Sequence, residues 1–380
     1  MADNSAACVR VPSDRNSRRK IKGEVDSISS LPDVILQHIL FSFETKFAIR
    51  TSVLSKRWRH VWCNIPSLSF DNIKEADAIN KALAKYTAPK MMDFHLKINK
   101  NNNVHHIKKW IEFAMSRNVE NMSLDVLFRC KKIPRFSDIN SYFKPLNHKL
   151  DFSDVIPGHG VSWTSLKKLS LRYCGLPDES AKILSGCPIL ECLTLYHCGK
   201  LNVLDLSKLL RLRTLEINSH IMIPGPTQIV APHIHCLKLR NTQLPCTLVD
   251  VSSLTEAEVL DIIIFPLNMS LKADFLYATM LEMLKKLENV EKLTFSGGSL
   301  QNLSSFAEKR GVPFPMFKVK ALTLKMEHFV ISDIERMLQN SPNLKKLTVR
   351  AKDNTRQGKY LDRHFTRLES GSMLEIKKGV

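Results

Sequence analysis

The sequence predicts a small all-α box followed by an α/β repeat solenoid whose parallel sheet lines the concave side. Three observations carry that prediction. Between Leu31 and Trp62, large apolar residues recur at helical spacing in a stretch too short to bury them. From Met91 to Val349 the chain repeats the pattern apolar-x-x-Leu-x-Leu. Between the clearest copies, Leu190, Leu212 and Ile234, the period is 22 residues.

Residues 1–27 are polar and mixed in charge, with Arg15, Arg18, Arg19, Lys20 and Lys22 close together. Too few apolar residues are present for a core, so a disordered basic tail is expected. The box begins at residue 28. Pro32 suits a first helical turn, and Asp33 places negative charge at the positive end of the helix dipole. Ile35, Leu36, Ile39, Leu40 and Phe43 then form a broad apolar face. Thr45 is expected to cap a second helix carrying Ile49 and Val53. Ser55 is expected to cap a third, with Trp58 and Trp62 one turn apart. About 30 residues cannot enclose so many large side chains, so the surplus surface implies a partner.

The box closes at residue 70, and repetition dominates 71–351. The best copies are Leu166/Leu169/Leu171, Leu190/Leu193/Leu195, Leu212/Leu215/Ile217 and Ile234/Leu237/Leu239, with a weaker one at Leu254/Ala257/Val259. This is leucine-rich-repeat spacing. Each Leu-x-Leu makes a short strand with one buried face, the preceding apolar residue fills the turn beneath it, and stacked copies build a horseshoe. The connecting segments are expected to be convex helices, as in His106–Arg117, Asp178–Gly186 and Ile331–Asn340. Residues 128–162 break the period and predict an irregular insertion. Ile262–Leu284 predicts a longer connection that ends in a helix. Residues 352–380 are expected to form a basic tail.

The residues Leu31-Pro32, Ile39-Leu40, Thr45-Lys46 and Thr51-Ser52-Val53-Leu54-Ser55-Lys56-Arg57-Trp58-Arg59 resemble a plant F-box. With the repeats behind it, the chain is similar to the plant F-box/leucine-rich-repeat family over about Ile28 to Ala351. The resemblance implies docking on a Skp-type adaptor, and through it on the cullin and RING subunits of an SCF-type ubiquitin ligase, with a target protein held by the repeats. It implies adaptor contacts from Leu31, Pro32, Ile35, Leu36, Ile39, Leu40, Val53, Leu54, Ser55 and Trp58. One stretch departs from the family. Such boxes usually read Ser-Phe-Leu-Pro-Thr-Lys where this chain has Phe41-Ser42-Phe43-Glu44-Thr45-Lys46, which is expected to turn one aromatic outward.

The formal charge of +19 draws the chain toward acidic partners. If the leucines face inward, alternate residues face the concave side. Lys168, Arg172, Tyr196, Lys238, Arg240, Lys325, Lys346 and Arg350 stand there, and predict a surface for an acidic target segment. Nucleic-acid binding is disfavoured because only 7% of residues are aromatic and most take core positions.

No Gly-rich phosphate loop, HExxH or GxSxG motif occurs, so no activity of its own and no cofactor is expected. Cys187, Cys192, His197 and Cys198 cluster at repeat positions where a buried thiol fits better than a metal ligand. Nine scattered cysteines without an apolar leader point to reduced thiols in nucleus or cytoplasm. No apolar run is long enough for a membrane span. The function expected is a substrate receptor of a ubiquitin ligase; the alternative is a scaffold that binds the adaptor without target turnover.

Overall fold

Apolar spacing in the box resolves into three short helices: α1 (Asp33–Phe41), α2 (Thr45–Arg50) and α3 (Trp58–Val61). A computed structural model describes residues 28, 30–71, 76–98, 104–126, 163–178, 183–219, 225–262, 273–326, 331–351 and 373–378. The N-terminal tail, the 128–162 insertion and residues 179–182 of the expected Asp178–Gly186 helix lie outside them. Pro32 is the N-cap of α1 rather than its first residue, and Asp33 receives the Arg57 Nε–H at 2.6 Å. Arg57 also donates to the Leu31 carbonyl, tying the start of the box to its third helix. Arg57, not Ser55, is the N-cap of α3; Ser55 Oγ, two residues earlier, accepts the Trp58 N–H at 3.5 Å.

Thr45 behaves differently from its expected role. Glu44 is the N-cap of α2, and the fully buried Thr45 hydroxyl instead accepts the Ser69 N–H at 2.8 Å. Ser69 belongs to β1 (Ser67–Asp71), the first strand of the solenoid sheet. A boundary at residue 70 therefore cuts through a strand: the end of the box is the start of the sheet. Tyr86 reinforces the join, donating its hydroxyl to the Ile65 carbonyl at 2.9 Å.

The Leu-x-Leu copies form the predicted strands. β2 (Asp93–Ile98), β3 (Asn121–Val126), β4 (Lys168–Arg172), β5 (Cys192–Tyr196), β7 (Thr214–Asn218) and β9 (Cys236–Arg240) follow β1 in the sheet. β11 (Glu256–Leu260), β12 (Lys292–Ser296), β13 (Ala321–Met326), β14 (Lys346–Ala351) and β15 (Met373–Lys378) complete twelve parallel strands. Along β5, Leu193 and Leu195 are buried while Cys192, Thr194 and Tyr196 are half-buried. β15 is a correction to the expected tail. Its Leu374-Glu375-Ile376 alternates correctly, but Gly371 stands where the apolar residue three positions earlier would mark a repeat.

Convex helices occur where the connection is long: α4 (Ala76–Lys85), α5 (Val104–Ser116), α6 (Ala273–Lys285), α7 (Gly297–Arg310) and α8 (Ile331–Gln339). The shortest repeats differ. There β6 (Val203–Asp205), β8 (Gln228–Val230) and β10 (Thr247–Asp250) form a second parallel sheet in the order β10-β8-β6. A 22-residue period leaves no room for a helix of ordinary length. Leu204, Ile229 and Leu248 each point one buried side chain inward, so period-two alternation closes the core instead. One continuous hydrophobic cluster runs from Leu36 in α1 to Val349 in β14.

Candidate functional site

Two surfaces are left without an internal partner, and their chemistry differs. The first is the outer face of the box. Val34, Ile35, Ile39, Phe41, Phe43, Phe47, Val53 and Leu54 are all exposed, Val53 to 86% and Leu54 to 64%. Ile35 and Ile39 lie one turn apart on α1, and Phe43 follows just past its C-cap, Ser42. Both aromatics of the departing Phe41–Glu44 stretch face solvent, rather than the one expected. Pro32 and Ser55 are also at the surface, and Leu31 is half-buried.

Three residues expected on this face are elsewhere. Leu36 is 0% exposed, Leu40 is buried beside it, and Trp58 is 4% exposed, so all three hold the box together and cannot meet a partner's surface. The apolar stripe of α1 is wide enough to have two sides, and sequence spacing does not say which side turns inward. Val34 and Phe47 were missed as surface residues, and Phe43, placed in the apolar face, was left off the expected adaptor contacts. Their signal is an apolar side chain off the inward stripe.

The second surface is the concave face of the sheet. The register lays its side chains in three rows across the strands. The middle row reads Ser69, His95, Ser123, Ser170, Thr194, Glu216, Lys238 and Glu258 from β1 to β11. Between β2 and β5 the small Ser123, Ser170 and Thr194 floor a trough of about 280 Å³. Asp93, Asn121, Lys168 and Cys192 line one side of it. On the other side of that floor the register places Lys97, Asp125, Arg172 and Tyr196.

Charge is arranged unequally along this face. Glu258 Oε1 accepts from Arg240 at 3.0 Å and from Lys325 at 2.9 Å, and Arg240 also lies 3.7 Å from Glu216. Burial pushes the Glu258 carboxyl up, but the hydrogen bonds and charges of Lys325 and Arg240 outweigh it and hold the group below its ordinary range. Lys97 pairs with Asp71 at 3.3 Å. Arg240, Lys325 and Lys97 are thus paired from within the face. On the same sheet Lys168, Lys346 and Arg350 are exposed and Lys238 is half-buried. Sequence reading missed the acids on β11 because Ala257 stands in place of a repeat leucine and weakens that copy.

Near the trough the balance differs. Arg172 stacks over the Tyr196 ring at 4.0 Å, and its closest carboxylate is Asp125 at 3.7 Å. Asp125 is 4% exposed, and burial raises its carboxyl despite the nearby Arg172 and Lys97 charges. Burial lowers His95 against the pull of Asp71 and Asp125, which favours its neutral form. Tyr173 and His197, the residues after β4 and β5, have φ of 56° and 52°, as do Asn241 and Asp261 after β9 and β11 at 51° and 53°. Asn, Asp and His enter that left-handed geometry more readily than other side chains; Tyr173 bears about 1–3 kcal/mol of strain. The Tyr173 N–H donates to Tyr196 O at 2.9 Å and the His197 N–H to Asn218 O at 2.7 Å, which holds both turns in place.

No grouping of three or more metal-ligating side chains occurs among the described residues. Among the same residues, no helix is long and apolar enough to cross a membrane.

A box with an exposed apolar face, continuous with a solenoid that presents a polar sheet, defines a class of two-surface interaction protein. The comparisons with known proteins give the family. Residues 28–70 match the F-box domain model, and residues 84–310 match the LRR domain model described as At1g61320/AtMIF1. The chain is 75% identical to the Arabidopsis thaliana protein At1g57690, which carries an F-box name, over all of both chains. It is 59% identical to At3g18150 of the same plant, which carries an F-box/LRR-repeat name, over 96% of this chain and 82% of that one. It is also 51% identical to the F-box/LRR-repeat protein At3g03360 of Arabidopsis thaliana, over 87% of this chain and 71% of the other. The chain belongs to the F-box/LRR-repeat family.

Proposed function

We propose that this chain is a substrate receptor of an SCF-type ubiquitin ligase. The box docks on a Skp-type adaptor, which links it to cullin and RING subunits, while the solenoid holds a target protein. The observation that carries the reading is the exposed stripe of Ile35, Ile39, Phe43, Val53 and Leu54 within the F-box match. Large contiguous apolar surface marks an interaction site. Catalysis belongs to the assembled ligase. This chain supplies proximity, converting an encounter between target and conjugating enzyme into an effectively intramolecular one. Such a receptor works in the nucleus or cytoplasm.

The test is co-purification of the full chain with a Skp-type adaptor. Burying one Val or Leu side chain is worth about 1.5–3 kcal/mol, so a Val53→Asp/Leu54→Asp variant should lose adaptor affinity by about two orders of magnitude or more. Recovery of adaptor at wild-type yield by that variant overturns the assignment. Adaptor capture without ubiquitination of any bound target in the reconstituted ligase marks the chain as a scaffold instead.

A further inference from the structure

We propose that the β2–β5 trough receives an acidic segment of a target chain, with Arg172 and Lys168 as the cations that hold its carboxylates. The proposal rests on the receptor reading and names the class of target.

The argument begins with which cations are available. Arg240 and Lys325 converge on Glu258, and Lys97 is paired with Asp71. Arg172 is different. Its guanidinium makes no direct hydrogen bond among the described residues, with Asp125 at 3.7 Å as its one ion-pair contact. Its guanidinium carbon lies over the Tyr196 ring, 4.0 Å from the centroid. A stacked guanidinium keeps its N–H edge for a carboxylate, which it grips with two parallel hydrogen bonds.

Lys168 lies on the same strand and the same face, exposed and without an ion-pair partner among the described residues. Four residues of strand place the two cations about 13 Å apart along β4. Two acids three or four residues apart in an extended segment span about 10–13 Å, a matching interval. Between the cations sits Ser170, flanked by Ser123 and Thr194, so the floor is low enough for a peptide backbone and offers hydroxyls to it. Two carboxylates lie close by. Asp93 at the trough's edge accepts the Asn121 Nδ2–H at 2.8 Å, and Asp125 is buried beside Arg172, so the segment's acids must seat on Lys168 and Arg172 clear of Asp93. The rings at the rim favour a peptide over single-stranded nucleic acid, because Arg172 already covers the Tyr196 face that a base would stack on.

The test uses the full chain and a peptide with glutamate at every fourth residue, labelled with a neutral fluorophore. Anisotropy should show it binding at least about ten-fold tighter than the same peptide with glutamine. Arg172→Gln and Lys168→Gln should each weaken it about ten-fold, in line with a charged hydrogen bond. Arg172→Lys should restore only part of the loss, since it keeps charge but not the fork, and it serves as the folded comparison. Arg240→Gln and Lys325→Gln should stay within about two-fold. Equal weakening by all four glutamine variants, or none by Arg172→Gln, overturns the proposal. So does tighter binding of oligouridylate with the same Arg172 dependence. Adaptor co-purification separates the two readings. A chain that captures adaptor but ignores the glutamate peptide loses the trough and keeps the receptor role. A chain that binds the peptide through Arg172 without capturing adaptor does the reverse.

Discussion

The box and the solenoid are built from the same kinds of apolar residue and differ in where they leave them. In the solenoid, Leu169, Leu193, Leu215 and Leu237 are all buried and the opposite face is polar. In the box, Leu36 and Leu40 join the common core while Val34, Ile35, Ile39, Phe43, Val53 and Leu54 stay outside. The solenoid satisfies itself by stacking copies, each covering the next. The box has no second copy. Its remaining face is complete only against another molecule.

The difference can be broken by substitution. Leu215→Ala, in the middle of the sheet, should cost about 2–5 kcal/mol and lower the melting midpoint by several degrees, whereas Val53→Ala should leave it unchanged. Equal midpoints for the two variants would remove the distinction. A smaller effect sharpens the join between the regions. Thr45→Val leaves the part-buried Ser69 N–H without its acceptor and should cost about 1–3 kcal/mol, with Thr45→Ser restoring most of it. Denaturant melts of the three chains check this.

The pH dependence of the concave face is smaller still and has two signs. Glu258 sits below its ordinary value in the fold, so its stabilising contribution is present at neutral pH and is lost as pH falls through that depressed value. Glu258→Gln should therefore be less stable than wild type at neutral pH, with the gap closing in acid. Asp125 sits above its ordinary value, so its charge is a penalty at neutral pH that is relieved as pH falls through the raised value. Asp125→Asn should gain relative to wild type at neutral pH and lose that advantage in acid. Melting midpoints from neutral to acidic pH distinguish the two, and parallel curves would contradict both.

The sheet was legible because Leu-x-Leu states both a strand and its buried face. The convex strands were not, since three-residue segments such as Val203–Asp205 carry too little pattern to be told from a turn. β15 escaped because Gly371 interrupts the repeat signature. In the box, residue type identified an apolar face but not its direction. Leu36, Leu40 and Trp58 were therefore assigned to the partner when they belong to the core, and Phe43 and Phe47 were left out. On the concave face, counting lysine and arginine missed their pairing with Glu216 and Glu258. That pairing depends on register across strands separated by tens of residues, and no local pattern reports it.

The most direct test of the central claim is amide hydrogen exchange on the full chain with and without a Skp-type adaptor. Protection on binding should fall on residues 31–58 and leave β4 to β14 unchanged, because the box carries the exposed apolar face of Val34, Ile35, Ile39, Val53 and Leu54. Protection along the sheet strands with no change in 31–58 would contradict the account.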